Sequence, residues 1–345
     1  MGARRLTYKN AGVDIKAMDS VKRAIARTVR STFSKRVLAD FGLFGGLFDV
    51  QSLGMKRPVL VASVDGVGTK LKVASLMGVH STVGRDLVAH CANDIAAQGA
   101  RPLFFLDYIG FSKLEPQTVR DIVSGLAAGC RKAGCALLGG ETAQLPNVYP
   151  EGEYDLVGTI VGVVDRANII DGSRVRPGDV VVGLLSSGLH TNGYSLARAV
   201  LLDHARLEPT DPMPGGRTPV GKELLKVHRD YSQVVHTLST RKLLTAVAHI
   251  TGGGLEGNIP RVLPNSVDVV VRRGAWKPLQ VFRTIQELGA VTDKEMFRTF
   301  NMGIGLVLVL RRKHLDEVRT LLRASRTPHR VIGETRKGNG RLVFE

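Results

Sequence analysis

Apolar residues recur along the chain in two rhythms. Between residues 20 and 36, Val21, Ala24, Ile25, Val29 and Phe33 fall on one face at helical spacing, which predicts an amphipathic helix with Ser20 as its cap. Residues 58–64 form a short continuous apolar run ended by a glycine-rich turn, the pattern of a buried strand. The same reading predicts helices from that turn to about Met77, over 82–98 and over 115–133. It predicts strands at 102–108, 135–138 (ending at Gly139 and Gly140) and 155–164. Residues 165–179, with Asp171-Gly172 and Pro177-Gly178, interrupt the pattern, and a domain boundary is placed there. The N-terminal domain is then 1–169 and the C-terminal domain 170–345. In the second half, strands are expected at 180–185, 267–271, 304–310 and 341–344. Helices are expected at 194–202, 221–238, 242–248, 279–288 and 313–322, with a loop at 203–219. Strands and helices mix in both halves, so the expected class is α/β (α+β), built as two mixed domains.

Composition changes this picture little. The 345 residues are 43% hydrophobic and 23% charged, the balance of a chain with a packed core. Cys91, Cys130 and Cys135 form no CxxC pair, which argues for a reducing compartment and against a disulfide framework or structural zinc. No run of eighteen apolar residues predicts a membrane span, and the basic N-terminus lacks the apolar core of a secretory signal; cytoplasm is the expected location. The net charge of +17 admits nucleic acid or a polyanionic small substrate as partner. The basic residues are dispersed and carry no aromatic-rich motif, so a solvated basic surface is the preferred reading and nucleic acid is not expected.

Five constellations bear chemistry. Asp65-Gly66-Val67-Gly68-Thr69-Lys70 joins a strand to a helix. Its glycines let backbone N–H groups approach an anion, Lys70 adds positive charge, and Asp65 offers a hard oxygen to Mg²⁺. Its spacing matches neither common phosphate-loop pattern. Asp86, His90 and Asp94 repeat every fourth residue on one helix face; Asp94 reads as a second Mg²⁺ ligand, Asp86 and His90 as a satisfied polar edge. Gly139-Gly140-Glu141-Thr142 follows a strand and repeats the first theme, with Glu141 as a third ligand. Ser187, His190 and Asn192 share a Ser/Gly/Asn loop, where a histidine can act as acid, base or phosphate donor. Gly252-Gly253-Gly254, after His249, opens a helix and suits a phosphorylated guest.

Taken in order, these motifs resemble the phosphoribosylformylglycinamidine cyclo-ligases, the aminoimidazole ribonucleotide synthetases of purine biosynthesis. The resemblance begins at residues 8–14 and runs through 65–70, Asn93-Asp94, 102–108, 139–142, 170–172, 188–195 and 249–254 to 298–301. It implies an ATP-driven ring closure, in which the substrate's formamide oxygen is phosphorylated and an amidine nitrogen attacks the activated carbon. It implies a homodimer whose N-terminal strands pair into a shared barrel. It also implies Mg²⁺ on Asp65, Asp94 and Glu141, and ATP against Gly66, Gly68, Thr69, Lys70, Asp107, Gly139, Gly140 and Thr142. His190 and Lys70 would be catalytic, and Ser187, His190, Asn192, Gly252, Gly253 and Gly254 would face a phosphorylated substrate. The alternatives are another ATP-dependent kinase or synthetase of the same superfamily, or a basic nucleic-acid-binding protein. Met302, where the family often has cysteine, and residues 109–112 depart from its pattern.

Overall fold

The computed structural model describes residues 14–40, 45–51, 53–113 and 115–345; the resemblance at 8–14 lies outside them except for Asp14. Asp14, and not Ser20, caps the first helix, α1 (Ile15–Arg30), by accepting a hydrogen bond from the Ala17 N–H at 3.1 Å. Its buried face is Val21, Ile25 and Val29. Then come β1 (Pro58–Gly66), α2 (Lys70–Met77), α3 (Ser81–Ala97), β2 (Arg101–Phe111), α4 (Pro116–Ala133), β3 (Ala136–Gln144) and β4 (Tyr154–Asp165). These strands form a four-stranded sheet in the order β1-β4-β2-β3, with β3 parallel to β2 and the other pairs antiparallel.

Helices α3 and α4 pack together on one face of this sheet. They approach so closely that a Cβ on Gly84 would lie 2.4 Å from the Ile122 carbonyl oxygen, and one on Gly125 2.1 Å from that of Ser81. Glycine at both positions therefore sets the helix spacing. Among the described residues, the opposite face is exposed along β1. Burial alternates along β1, with Val61, Ser63 and Asp65 inward and Leu60 and Val64 outward, each 64% exposed.

The second half contains β5 (Val180–Leu185), α5 (Tyr194–Arg198), α6 (Val220–Leu224), α7 (Ser232–Thr240), β6 (Ala246–His249), α8 (Gly254–Asn258) and β7 (Val267–Val271). It continues through α9 (Gln280–Leu288), α10 (Asp293–Thr299), β8 (Ile304–Leu310), α11 (Leu315–Ala324), β9 (His329–Lys337) and β10 (Leu342–Phe344). Its strands form a six-stranded sheet, β10-β7-β9-β5-β8-β6. The mixed α/β class stands, with four local corrections. The helix expected over 221–238 is interrupted between α6 and α7, because the backbone N–H groups of His228 and Tyr231 are captured by Asp86 and Asn93 of α3. The helix expected over 242–248 is absent: a turn and a short coil lead into β6, a wholly buried strand. Gly139 and Gly140 lie inside β3 and do not end it. The expected series also lacked α10 and β9. Among the described residues no helix is long and apolar enough to cross a membrane.

Candidate functional site

Asp65 of β1 and Asp107 of β2 both stand opposite Gly158 of β4. Residues paired across a sheet share a face, so both carboxylates point toward α3 and α4. Helix α3 answers with Asp86, His90 and Asp94, one turn apart. His90 Nε2 lies 2.8 Å from Asp65 Oδ2 and 3.9 Å from Asp94 Oδ2. The Ser63 hydroxyl donates to Asp94 Oδ2 at 3.1 Å, and His249 Nδ1 meets Asp94 Oδ1 at 2.8 Å.

The imidazoles continue inward. His249 Nε2 is 3.1 Å from His228 Nε2, His228 Nδ1 is 3.3 Å from the Thr191 hydroxyl, and that hydroxyl is 2.7 Å from His90 Nδ1. An unbroken chain of polar contacts thus joins Asp94 to Asp65 through His249, His228, Thr191 and His90. Burial pulls His228 and His190 well below the ordinary histidine value, with neighbouring imidazoles adding to the effect, and pulls His249 down despite Asp94. Burial acts on His90 in the same sense, but its hydrogen bond to Asp65 and the charges of Asp94, Asp65 and Asp86 outweigh it, and its pKa rises. Burial would raise Asp65 and Asp94; their histidine partners reverse this and leave both carboxylates below the usual value.

Lys70 does not face this cleft. Fully buried, its ammonium lies 2.8 Å from Asp86 Oδ2 and donates to the carbonyls of His190 at 3.1 Å and Lys226 at 2.8 Å. Asp86 Oδ1 accepts the His228 N–H at 2.7 Å. Burial draws Lys70 down and Asp86 up, against their mutual attraction. The lysine expected at a triphosphate is thus a strut between α2 and two loops of the second half. Gly68 and Thr69 are the exposed part of that turn, and the Thr69 hydroxyl lies 3.1 Å from that of Ser195.

His190 is also inside. It has a left-handed backbone (φ 64°), stacks on His228 at 4.0 Å, and accepts the Ser187 N–H on Nε2 at 3.2 Å. Nε2 is an acceptor there, so the proton sits on Nδ1, a buried atom without a hydrogen-bond partner. The Ser187 hydroxyl is occupied by the Val227 carbonyl at 2.6 Å. Asn301 holds the loop from below, donating to the carbonyls of Gly188 and Leu189. Asn192 meets the glycine loop: a Cβ on Gly252 would lie 3.3 Å from its Oδ1. Asn258 gathers that loop, donating to the carbonyls of Gly252 at 3.1 Å and Gly254 at 2.8 Å. Gly254 admits no side chain, since a Cβ would fall 1.9 Å from the Phe297 carbonyl oxygen.

The third predicted group is not brought to the first two within one chain. Gly140 pairs with Asp107, so Glu141, its neighbour, pairs with Tyr108 and belongs to the opposite face. Three strand spacings separate β3 from β1, about 14 Å, beyond what Asp65 and Glu141 can span around one ion. The Glu141 carboxylate accepts the Thr142 N–H at 2.7 Å. Asp107 leans over Gly140, and burial, with help from the Glu141 charge, pushes its pKa up to about 7. His228 completes the site without having been singled out from sequence, and Thr191, Asn258 and Asn301, which lie in or beside the motifs, join it without having been given a role. Nothing local marks His228, in the run Lys226-Val227-His228-Arg229; its importance comes from packing against α3.

Asp65 and Asp94 keep 39% and 29% of their side-chain surface exposed. Two accessible carboxylates held ionised fit a hard cation such as Mg²⁺. His90, Asp94 and His249 also offer ligand atoms within 4.8 Å of one another, a set that suits a softer ion. The turn 66–69, opening α2 beside them, offers backbone N–H groups to an anion.

Two family models match the chain. AIR synthase related protein, N-terminal domain, matches residues 51–164, and AIR synthase related protein, C-terminal domain, matches 176–344. The phosphoribosylformylglycinamidine cyclo-ligase of Trichlorobacter lovleyi is 48% identical over 97% of this chain and 96% of its own length. The protein of the same name from Bacillus thuringiensis subsp. konkukian is 45% identical over 96% of both. Among solved structures, thiamine-monophosphate kinase from Stenotrophomonas maltophilia superposes with a TM-score of 0.66 at 18% identity, covering 96% of both chains. The hydrogenase maturation protein HypE in complex with ATP gives 0.65 at 17% identity, covering 94% of this chain and 90% of its own. These last two share the fold.

Proposed function

The chain belongs to the phosphoribosylformylglycinamidine cyclo-ligase family, and from that premise we propose that it closes formylglycinamidine ribonucleotide to aminoimidazole ribonucleotide, with ATP as phosphoryl donor, in purine biosynthesis. The observation that carries this reading is the 48% identity over 97% of the chain to a relative of that name. The γ-phosphoryl group passes from ATP to the formamide oxygen. The amidine nitrogen then adds to the activated carbon, phosphate leaves, and the nitrogen loses its proton. Such chemistry depends mainly on positioning and charge neutralisation.

Asp65 and Asp94 would hold Mg²⁺, which when bound would neutralise phosphate charge. His90, His249 and Ser63 orient the two carboxylates from behind. Gly66, Gly68 and Thr69 cradle the phosphates, and Asp107, Gly139, Gly140 and Thr142 extend the nucleotide surface along the sheet. Asn192, Ser187, Gly252, Gly253 and Gly254 face the phosphorylated substrate. Lys70 acts through its grip on the His190 carbonyl, and His190 becomes available to substrate when its loop shifts. The division at 169/170 separates a nucleotide and dimerisation half from a substrate half. The ATP-bound state of HypE supports ATP use, and we place the reaction in the cytoplasm.

The sheet face with the exposed Leu60 and Val64 would pair with a second copy in a homodimer, and the partner's Glu141 would then be the third carboxylate for the metal. Incubation with formylglycinamidine ribonucleotide, ATP and Mg²⁺ should yield aminoimidazole ribonucleotide; a folded preparation that makes none refutes the reaction. Mixing inactive Asp94→Asn and Glu141→Gln chains should restore about a quarter of parental activity, because half the dimers are mixed and each holds one intact site. A mixture as inactive as its parts removes Glu141 from the site.

A further inference from the structure

The basic residues are dispersed in sequence, but the fold gathers four arginines outside the site just described. A surface cavity of ≈ 620 Å³ is lined by Arg319, Arg323, Arg326 and Arg330, with His329 and Thr327 between them. No carboxylate lines it. Its origin is local. Helix α11 buries Val318 and Leu322, which leaves Arg319 and Arg323, one turn apart, along an outer flank. The chain reverses at Arg326 (φ 52°) and returns as β9, which sets Arg330 opposite Gly183 of β5.

An arginine near a helix C-terminus ordinarily serves the terminal carbonyls. That role is already filled here. The carbonyls of Leu321, Leu322 and Arg323 accept the backbone N–H groups of Ser325, Thr327 and Arg326. Arg330 spends one N–H on the His329 carbonyl at 2.9 Å, and Arg319 stands 3.9 Å from Asp316. The guanidinium groups of Arg323 and Arg326 make no hydrogen bond or ion pair to another described residue. Four like charges around one concavity repel one another, and their planar forks match phosphate oxygens. The volume falls in the range of small-molecule pockets, about 300–1,000 Å³. A duplex would need a basic track running well beyond such a cavity.

We propose that this cavity is a second, non-catalytic binding site for a small polyphosphorylated molecule of nucleotide size. It adjoins the catalytic machinery through one backbone contact. The Pro328 carbonyl accepts the N–H of Leu185 at 2.8 Å, and Leu185 is the last residue of β5 before the loop that carries His190. The site does not depend on the reaction proposed above.

Calorimetric titration of the full chain with inorganic tripolyphosphate, without divalent cation, tests it. The parent and Asp94→Asn should bind one equivalent with equal affinity. The double variant Arg323→Gln/Arg326→Gln should bind at least tenfold more weakly while keeping parental turnover, which shows that it is folded. Absence of binding by the parent, undiminished binding by the double variant, or loss of binding in Asp94→Asn overturns the proposal. So does a duplex DNA that binds more tightly than tripolyphosphate and is lost in the same double variant.

Discussion

Asp86 and Asp94 lie two turns apart on the same face of α3, and they have become opposite kinds of residue. Asp86 is fully buried, paired with Lys70 and bonded to the His228 backbone; burial raises its pKa. Asp94 keeps part of its surface in the cleft, and its histidine and serine partners hold it ionised against a burial effect of the same sign. One helix face therefore ends in a strut at one side and a metal-ligand candidate at the other. The difference lies in the surroundings: Asp86 is closed over by Lys70 of α2 and the His228 N–H of the second half, whereas Asp94 meets the His249 imidazole of the second half and open space.

Substitution tests this contrast most strongly. Asp94→Asn should lower turnover by about a hundredfold or more, in the range of lost electrostatic catalysis, with an unchanged urea midpoint. Asp86→Asn should do the reverse first. It leaves the Lys70 ammonium buried without its counter-charge, at a cost of about 3–5 kcal/mol, read from urea unfolding. The double change Lys70→Met/Asp86→Leu should recover most of that loss. An Asp86→Asn protein as stable as the parent would erase the distinction.

A smaller effect separates the histidines by pH. His190 and His228 have depressed pKa values, so the unfolded chain takes up their protons first as pH falls below about 6.5, and the fold loses stability there. His228→Asn should flatten the fall in Tm between pH 7.5 and 5. His90 works the other way: its raised pKa gives stability present below about 6.5 and lost as pH climbs through the folded value. Asp107 carries a pH effect of its own. Its folded pKa of about 7 means the unfolded chain ionises first, so this group costs stability as pH rises from about 4 to neutrality. Asp107→Asn should raise Tm at pH 8 and leave it unchanged at pH 4; a uniform shift would show that charge is not the cause.

The contrast within α3 was only half legible in the sequence. Fourfold spacing placed Asp86, His90 and Asp94 on one face, and the apolar runs located β1, β5, β7 and β8, because periodicity is local information. Lys70 looked like a phosphate ligand because its partners, Asp86 and the carbonyls of His190 and Lys226, come from distant segments. The strand β6 was hidden for a related reason. Buried on both faces, Ala246 to His249 shows no alternation that would separate it from a helix. The break before α7 is imposed by side chains of α3 on backbone that would otherwise continue the helix. Motif order nevertheless carried the family, since its glycines and carboxylates are spaced by loops whose geometry tolerates few alternatives.

The buried ammonium of Lys70 has a thermodynamic consequence. It begins the helix that follows the turn 66–69, and it grips the carbonyls of His190 and Lys226 in the other half. Any nucleotide that shifts the turn must strain or relax those two loops, and any guest that moves the loops must act back on the turn by the same factor. In the proposed reaction, nucleotide and substrate would thus be energetically linked through a side chain that touches neither.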